Sequence, residues 1–157
     1  MKFEEFVCFD ATILDVQAKD RDGIITELVA ALANAGGIPA DSAKDVTKAV
    51  IKRENEASTG MGKGVAVPHV KHAAAKKVVA AVGHSVAGVD FASLDEQPVY
   101  SVILLISPVD NPDKHLQAME NIFRHLQKER FRKFLRQCRN ADELRDLLKE
   151  ADENPSW

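Results

Sequence analysis

The strongest constraint on the fold is the apolar run VYSVILLIS at residues 99–107. Apolar residues follow one another there without the alternation that a half-exposed strand shows, and the run is too short to cross a bilayer. This pattern is typical of a central strand that is covered on both faces. It therefore predicts a sheet with a layer of helices on each side.

Helices and strands interleave along the rest of the chain, so we expect an α/β protein. The predicted architecture is a three-layer α/β/α sandwich around a mixed β-sheet. Apolar residues at helical spacing predict helices over about residues 22–35, 42–56, 112–126, 131–138 and 144–148. Further strands are predicted at residues 65–67, where Pro68 ends the strand, and at residues 78–86.

Local sequence patterns mark where several helices begin. Ser42 to Asp45 reads as a capping box for the second helix. Asn111 followed by Pro112 is the usual N-cap and first residue of a helix. The core face of that helix is predicted to comprise Leu116, Met119, Ile122, Phe123 and Leu126.

Length and composition indicate one globular domain over residues 1–157, with an acidic, frayed tail from about residue 150. Only Cys8 and Cys138 are present, and the first residues do not form a signal peptide. We therefore expect a cytoplasmic protein without membrane insertion.

The net charge of −3 argues against nucleic-acid binding. The basic run at 124–139 carries phenylalanines at helical spacing, which favours core packing over nucleic-acid contact.

The glycine-rich segment STGMGKGVAVPHVKH at residues 58–72 is the most unusual part of the chain. It does not match a dinucleotide fingerprint, because the glycines follow a helix and precede a strand. It does not match a P-loop, because Gly64 follows Lys63 where Ser or Thr is required. No nucleotide cofactor is therefore predicted. His69 lies directly after Pro68, where a neutral imidazole can act as a nucleophile or simply form part of a turn.

Residues 53–72, RENEASTGMGKGVAVPHVKH, resemble the active-site segment of enzyme IIA domains of the fructose, mannitol and nitrogen-regulatory phosphotransferase family. The resemblance continues through FASLDEQPVYSVILLISPVDNPDKHLQAM and the final ADELRDLL. It covers nearly the whole chain, and its segments occur in the expected order.

This resemblance implies a phosphoryl carrier that needs neither cofactor nor metal. His69 would be the phosphorylated nucleophile, Arg53 would stabilise charge on the transferring group, and His115 would be the second active-site histidine. Ser58 and Thr59 would contact phosphate oxygens or form the turn. The implied partners are a histidine-containing phosphocarrier protein as donor, and an enzyme IIB or a regulatory protein as acceptor.

Several alternatives stay open. Arg53 and His115 could be ordinary surface residues at helix ends, and the histidine trio His69, His72 and His115 could be a metal site, although no ligand signature supports it. The family usually has glycine where this chain has Val70, which puts the local backbone and the choice of partner in doubt. The nitrogen-regulatory type is preferred. A fructose/mannitol-type sugar-uptake protein and a non-catalytic regulatory binding module are the alternatives.

Overall fold

The computed structural model describes residues 1–154 and residue 156; Pro155 and Trp157 lie outside the described residues. The α-helices are α1 (Phe3–Phe6), α2 (Arg21–Asn34), α3 (Ala43–Glu56), α4 (Pro112–Leu126), α5 (Glu129–Gln137) and α6 (Ala141–Glu153). The strands are β1 (Gly60–Gly62), β2 (Val65–Ala66), β3 (His69–Lys71), β4 (Val79–Val89) and β5 (Val99–Ser107). None of these helices has the length and hydrophobicity that a bilayer crossing needs.

The predicted central strand is confirmed, and it organises a mixed sheet. One edge of β5 pairs with β2 and then with β3, both parallel to it. Its other edge pairs with β4 in antiparallel orientation. β1 extends the sheet through an antiparallel pairing with β2. Because β5 has strands on both sides, its backbone cannot shift without breaking two ladders.

Alternate residues of β5 enter two separate cores, which makes the structure the predicted three-layer sandwich. Ile103 and Leu105 pack in the core formed with α1, α4, α5 and α6. Val102, Leu104 and Ile106 pack in the core formed with α2 and α3. All five side chains are buried. Each face of the strand therefore contributes to a different helical layer.

The glycine-rich segment forms a hairpin between β1 and β2 rather than an open loop. Gly62, Lys63 and Gly64 all have positive φ values, of 89°, 59° and 82°. Two of these three positions are glycine, the residue that adopts this conformation without strain. The backbone N–H of Lys63 donates to a carboxylate oxygen of Asp95 at 2.8 Å, which holds the turn against the loop that precedes β5.

Two local predictions next to this hairpin are wrong. Ser42 makes no side-chain capping bond, because residues 40–42 form a 3₁₀ turn that leads directly into α3. Strand pairing does not stop at Pro68 either. It resumes at His69, which aligns with Leu105 of β5. Pro68 therefore interrupts one extended segment instead of ending it, since proline removes only its own donor from the ladder.

Val70 fits this resumed strand without strain. It lies in the middle of β3, opposite Ile106, and its half-buried side chain packs against the core beneath α2 and α3. It is not among the described residues with positive φ. Valine is well suited to an extended backbone, so the local chain path needs no glycine.

Helix faces were predicted correctly except at three positions. Leu116 is 58% exposed, and Phe134 is 39% exposed, although both follow the helical repeat of buried residues. His125, which is not part of the predicted core face of its helix, is buried between the rings of Phe3 and Phe131, at centroid distances of 4.9 and 5.3 Å. The short N-terminal helix α1, which had no clear sequence pattern, covers that position.

The prediction of a frayed tail from residue 150 is wrong for residues 150–153. These residues form the last turn of α6, and Ala151 is buried. The carboxylate of Asp152 accepts hydrogen bonds from the backbone N–H groups of Phe3 at 2.8 Å and Glu4 at 3.0 Å. The end of α6 thus caps the beginning of α1. The two partners lie about 150 positions apart in sequence, so no local sequence pattern could predict this cap.

We expect Asp152→Ala to lower the free energy of unfolding by about 1 kcal/mol, because it removes a capping carboxylate from two N–H groups at a helix start. Glu153→Ala is the matched control, since Glu153 is exposed on the same turn. Chemical denaturation of both variants measures the difference. Equal stability of the two variants would contradict the capping role.

Candidate functional site

Two histidines meet at the C-terminal end of β5. His69 begins β3, beside Leu105. His115 lies in the first turn of α4, which begins five residues after β5 ends. The centroids of the two rings are 5.7 Å apart, and the ring planes are inclined by 47°. The structure therefore brings together the two histidines that the sequence resemblance selected.

The hydrogen bonding of His69 defines which of its nitrogens is free. Nδ1 lies 2.8 Å from the carbonyl oxygen of Val67. A carbonyl oxygen can only accept, so Nδ1 carries the hydrogen and donates it. The lone pair of the neutral ring is consequently on Nε2. Among the described residues, Nε2 has no hydrogen-bond partner.

Burial keeps His69 uncharged. Desolvation of the half-buried ring is the main effect that lowers its pKa from 6.5, and the positive charges of Arg53 and Lys71 lower it further. The bond to Val67 and the charge of Glu54 act in the opposite direction without overcoming these effects. A lowered pKa means that the ring is neutral at physiological pH, which is the form that a nucleophile needs.

His115 is also held in its neutral form. Desolvation is the main effect that lowers its pKa to about 4, and the charge of Lys71, as well as that of His69 when protonated, acts in the same direction. Nδ1 of His115 lies 2.7 Å from the hydroxyl oxygen of Ser107, the last residue of β5. The helix begins as the sequence predicts, with the Asn111 side chain accepting from Lys114 and Pro112 in the first position.

Arg53 and His69 line a common cleft of about 390 Å³, together with Ser58, Thr59 and Phe123. One guanidinium nitrogen of Arg53 donates to the carbonyl oxygen of Ala57 at 2.9 Å, beyond the end of α3. A guanidinium has five N–H groups, so this single bond orients the side chain and leaves most of its donors for another acceptor.

The hydroxyl groups of Ser58 and Thr59 are engaged within the protein. Ser58 donates to the carbonyl oxygen of Phe91 and accepts from the N–H of Gly60. Thr59 donates through both its hydroxyl and its backbone N–H to the carboxylate of Glu54, each at 2.6 Å. Both residues line the cleft, and the hydrogen bonds of both stabilise the turn between α3 and β1. Their contact with a phosphate stays a prediction.

Glu54 is one of the residues whose role the sequence interpretation missed. Its place in a charged helical segment favours solvent exposure, yet it is 2% exposed. A helical glutamate among charged neighbours in RENE gives no sign of burial. Its bonds to Thr59 tie the end of α3 to the start of the glycine-rich hairpin, and they hold this wall of the cleft in place.

His72 is held by two hydrogen bonds of its own. Its Nδ1 accepts from the N–H of Ala74 at 2.9 Å, so its Nε2 carries the hydrogen that is donated to Asp45 at 2.7 Å. This bond joins the turn after β3 to α3. The described residues contain no group of three or more His, Cys, Asp and Glu side chains placed to hold a metal ion.

Apolar side chains surround the two histidines at the surface. Leu94 is 88% exposed and Leu116 is 58% exposed. Leu94 borders the cleft of Arg53 and His69, and Leu116 borders the adjacent groove of His115. Phe123 lines both. Exposed apolar groups around a polar centre are typical of surfaces that contact other proteins.

Comparison with known families agrees with this geometry. The family model described as "Phosphoenolpyruvate-dependent sugar phosphotransferase system, EIIA 2" matches residues 6–151. The chain belongs to this family. Members of the family act as phosphoryl carriers, and the resemblance seen in the sequence is confirmed.

Curated relatives include fructose-specific proteins. The chain is 31% identical over 152 residues to the "PTS system fructose-specific EIIABC component" of Bacillus subtilis, covering 97% of this chain and 24% of that protein. It thus spans about a quarter of that relative. It is also 31% identical to the "PTS system fructose-specific EIIA component" of Haloferax volcanii, with 85% of each chain covered.

Solved structures share the fold. The nitrogen regulatory protein IIA-Ntr of Neisseria meningitidis superposes with a TM-score of 0.83 at 26% identity, over 92% of this chain and 97% of that chain. A chain of the Escherichia coli complex of mannitol enzyme IIA with phosphorylated enzyme IIB matches with a TM-score of 0.73 at 19% identity. The match covers 90% of this chain and 95% of that chain.

We expect the ring of His69 to titrate with a midpoint below pH 6.5, because burial and the Arg53 charge both disfavour the imidazolium form. In Arg53→Ala the midpoint should rise, since one positive neighbour is lost. Lys52→Ala, which removes an exposed lysine from the same helix, is the control. Proton NMR titration of the His69 ring resonances measures all three midpoints. A wild-type midpoint at or above 6.5 would contradict this prediction.

Proposed function

We propose that this chain is a cytoplasmic phosphoryl carrier that accepts a phosphoryl group on Nε2 of His69 and passes it to a second protein. The observation that carries the proposal is the state of His69: a neutral ring, with Nδ1 anchored on a carbonyl and Nε2 free, in a cleft that it shares with an arginine. The family of the chain supports the same chemistry.

In the proposed reaction the donor is the phosphohistidine of a histidine-containing phosphocarrier protein. The lone pair of Nε2 attacks phosphorus in line, and a new N–P bond forms. The N–P bond of the donor breaks, and its electron pair returns to the donor imidazole. Positive charge develops on the His69 ring because Nδ1 keeps its proton. The carbonyl of Val67 accepts from Nδ1–H and stabilises that charge.

Arg53 supplies the compensating charge for the transferring group. The fork geometry of a guanidinium matches phosphoryl oxygens. The positive charge of Arg53 also lowers the pKa of His69, so it acts at the reacting ring. Its bond to Ala57 restricts the side chain before the donor arrives. Because the charge is positioned in advance, little reorganisation is needed during transfer.

The surface around the site suits protein partners. The exposed apolar side chains Leu94 and Leu116 flank the two histidines, where a donor or an acceptor protein must dock. We propose an enzyme IIB or a regulatory protein as the acceptor, and the mannitol IIA–IIB complex, which has the same fold, supports the first. We favour the nitrogen-regulatory type on the likeness to IIA-Ntr. The fructose-specific relatives favour sugar uptake as the second candidate.

The direct test is phosphorylation of the purified chain by phosphoenolpyruvate, enzyme I and the phosphocarrier protein. We expect one acid-labile phosphoryl adduct by intact mass, present in the wild type and absent in His69→Ala. His72→Gln is the control, because that neighbouring histidine is committed to Asp45 and Ala74. An unmodified wild type would favour a binding module without transfer activity. An adduct on His69→Ala would refute the site.

Arg53→Ala should slow phosphoryl transfer by roughly 10²-fold, the loss typical of removing one positioned donor to a developing charge. Folding should be little affected, because the side chain makes a single bond to the backbone. Lys52→Ala serves again as the control for the loss of one positive charge. Rapid-quench single-turnover kinetics measure both rates. An unchanged rate in Arg53→Ala would remove Arg53 from the mechanism.

A further inference from the structure

We propose that Ser107 is a positioning residue that fixes the tautomer of His115, so that the hydrogen of this ring is on Nε2 and is donated to the phosphoryl group on His69. The second half of this statement rests on the proposed function. The first half concerns the unmodified protein alone.

Ser107 is rigidly placed. It ends β5 opposite Lys71 in the parallel ladder, and its carbonyl oxygen accepts from the N–H of His72 at 2.8 Å. The residue is fully buried. The backbone is thus bonded to the β3 side of the sheet, and the hydroxyl group is held where α4 begins.

Counting hydrogens in this buried pair decides the direction of the bond. Within the described part of the chain, the one partner of the Ser107 hydroxyl is Nδ1 of His115, at 2.7 Å. If Nδ1 carried the hydrogen and donated it, the serine hydroxyl hydrogen would be buried without an acceptor, which is unfavourable. If the hydroxyl donates to Nδ1, both groups are satisfied. The hydrogen of the neutral ring is then on Nε2.

The arrangement requires that His115 be uncharged, since an imidazolium ring has hydrogens on both nitrogens. Burial and the positive charge of Lys71 keep it neutral, in agreement with its lowered pKa. The half-buried ring of His115 lies beside that of His69, with 5.7 Å between centroids. Nε2 is the nitrogen of His115 that Ser107 leaves unengaged.

The tautomer matters because the two forms act oppositely on a phosphoryl oxygen. With the hydrogen on Nε2, His115 donates a hydrogen bond to the anionic group. With the hydrogen on Nδ1, Nε2 presents a lone pair and repels the same oxygens. Ser107 therefore selects the productive form before the donor arrives, without contacting the phosphoryl group itself.

The test is a long-range ¹H–¹⁵N correlation spectrum of the full chain with labelled histidine, recorded unphosphorylated at pH 7.5. In the wild type we expect the hydrogen of His115 on Nε2. In Ser107→Ala the spectrum should shift toward the Nδ1–H form, and Ser107→Thr, which keeps a hydroxyl, should restore the wild-type pattern. Ser101→Ala is the control, because Ser101 is a buried serine of the same strand away from His115.

Two spectral outcomes would overturn the proposal: a wild-type His115 with its hydrogen on Nδ1, or an Nε2–H form that persists unchanged in Ser107→Ala. For phosphoryl transfer we expect a loss of at least about tenfold in Ser107→Ala, restored in Ser107→Thr. Unaltered transfer in Ser107→Ala would refute the donor role of His115. A wild type that shows the predicted tautomer but takes up no phosphoryl group would refute the proposed function and support the tautomer assignment.

Discussion

The burial of β5 between two helical layers is the constraint on which the candidate site depends. Five consecutive side chains of this strand enter two cores in alternation, and strands pair with it along both edges. Ser107, the last residue of β5, is therefore held both by strand pairing and by burial. His69 is aligned with this strand, and His115 follows it after a short connection. The separation of the two rings is thus set by the most firmly packed part of the molecule.

The site combines buried imidazoles with nearby cations, and the balance between them determines its chemistry. Lys71 and Arg53 add positive potential, while burial removes the water that would stabilise an imidazolium ion. Both effects favour neutral rings. The same potential attracts anions, so the phosphoryl group of the proposed reaction would meet an unprotonated nucleophile in a positive environment. The negative charge of Glu54 acts in the opposite direction without overcoming these effects, and hydrogen bonds from Thr59 hold its carboxylate in place.

Features that depend on short-range patterns could be predicted from the sequence. The apolar run of β5 and the Asn111–Pro112 helix start follow from neighbouring residues, and the selection of His69 follows from the family resemblance of the segment around it. Features that depend on partners distant in sequence could not. Ser107 is only the polar end of a predicted strand until α4 is placed beside it, and Asp152 resembles part of a tail until α1 is placed against it. The Ser42 pattern failed for a local reason, because a 3₁₀ turn over residues 40–42 replaced the expected cap.

The interruption at Pro68 has a consequence for the proposed carrier function. On one side of the proline, Val67 provides the carbonyl that holds the ring of His69, and on the other side the backbone of His69 is already in the ladder with β5. The imidazole is anchored at both its backbone and its Nδ1, so it cannot act as a swinging arm. In the proposed reaction, donor and acceptor must therefore each dock against the same face of the protein in turn, and the two encounters exclude each other in time.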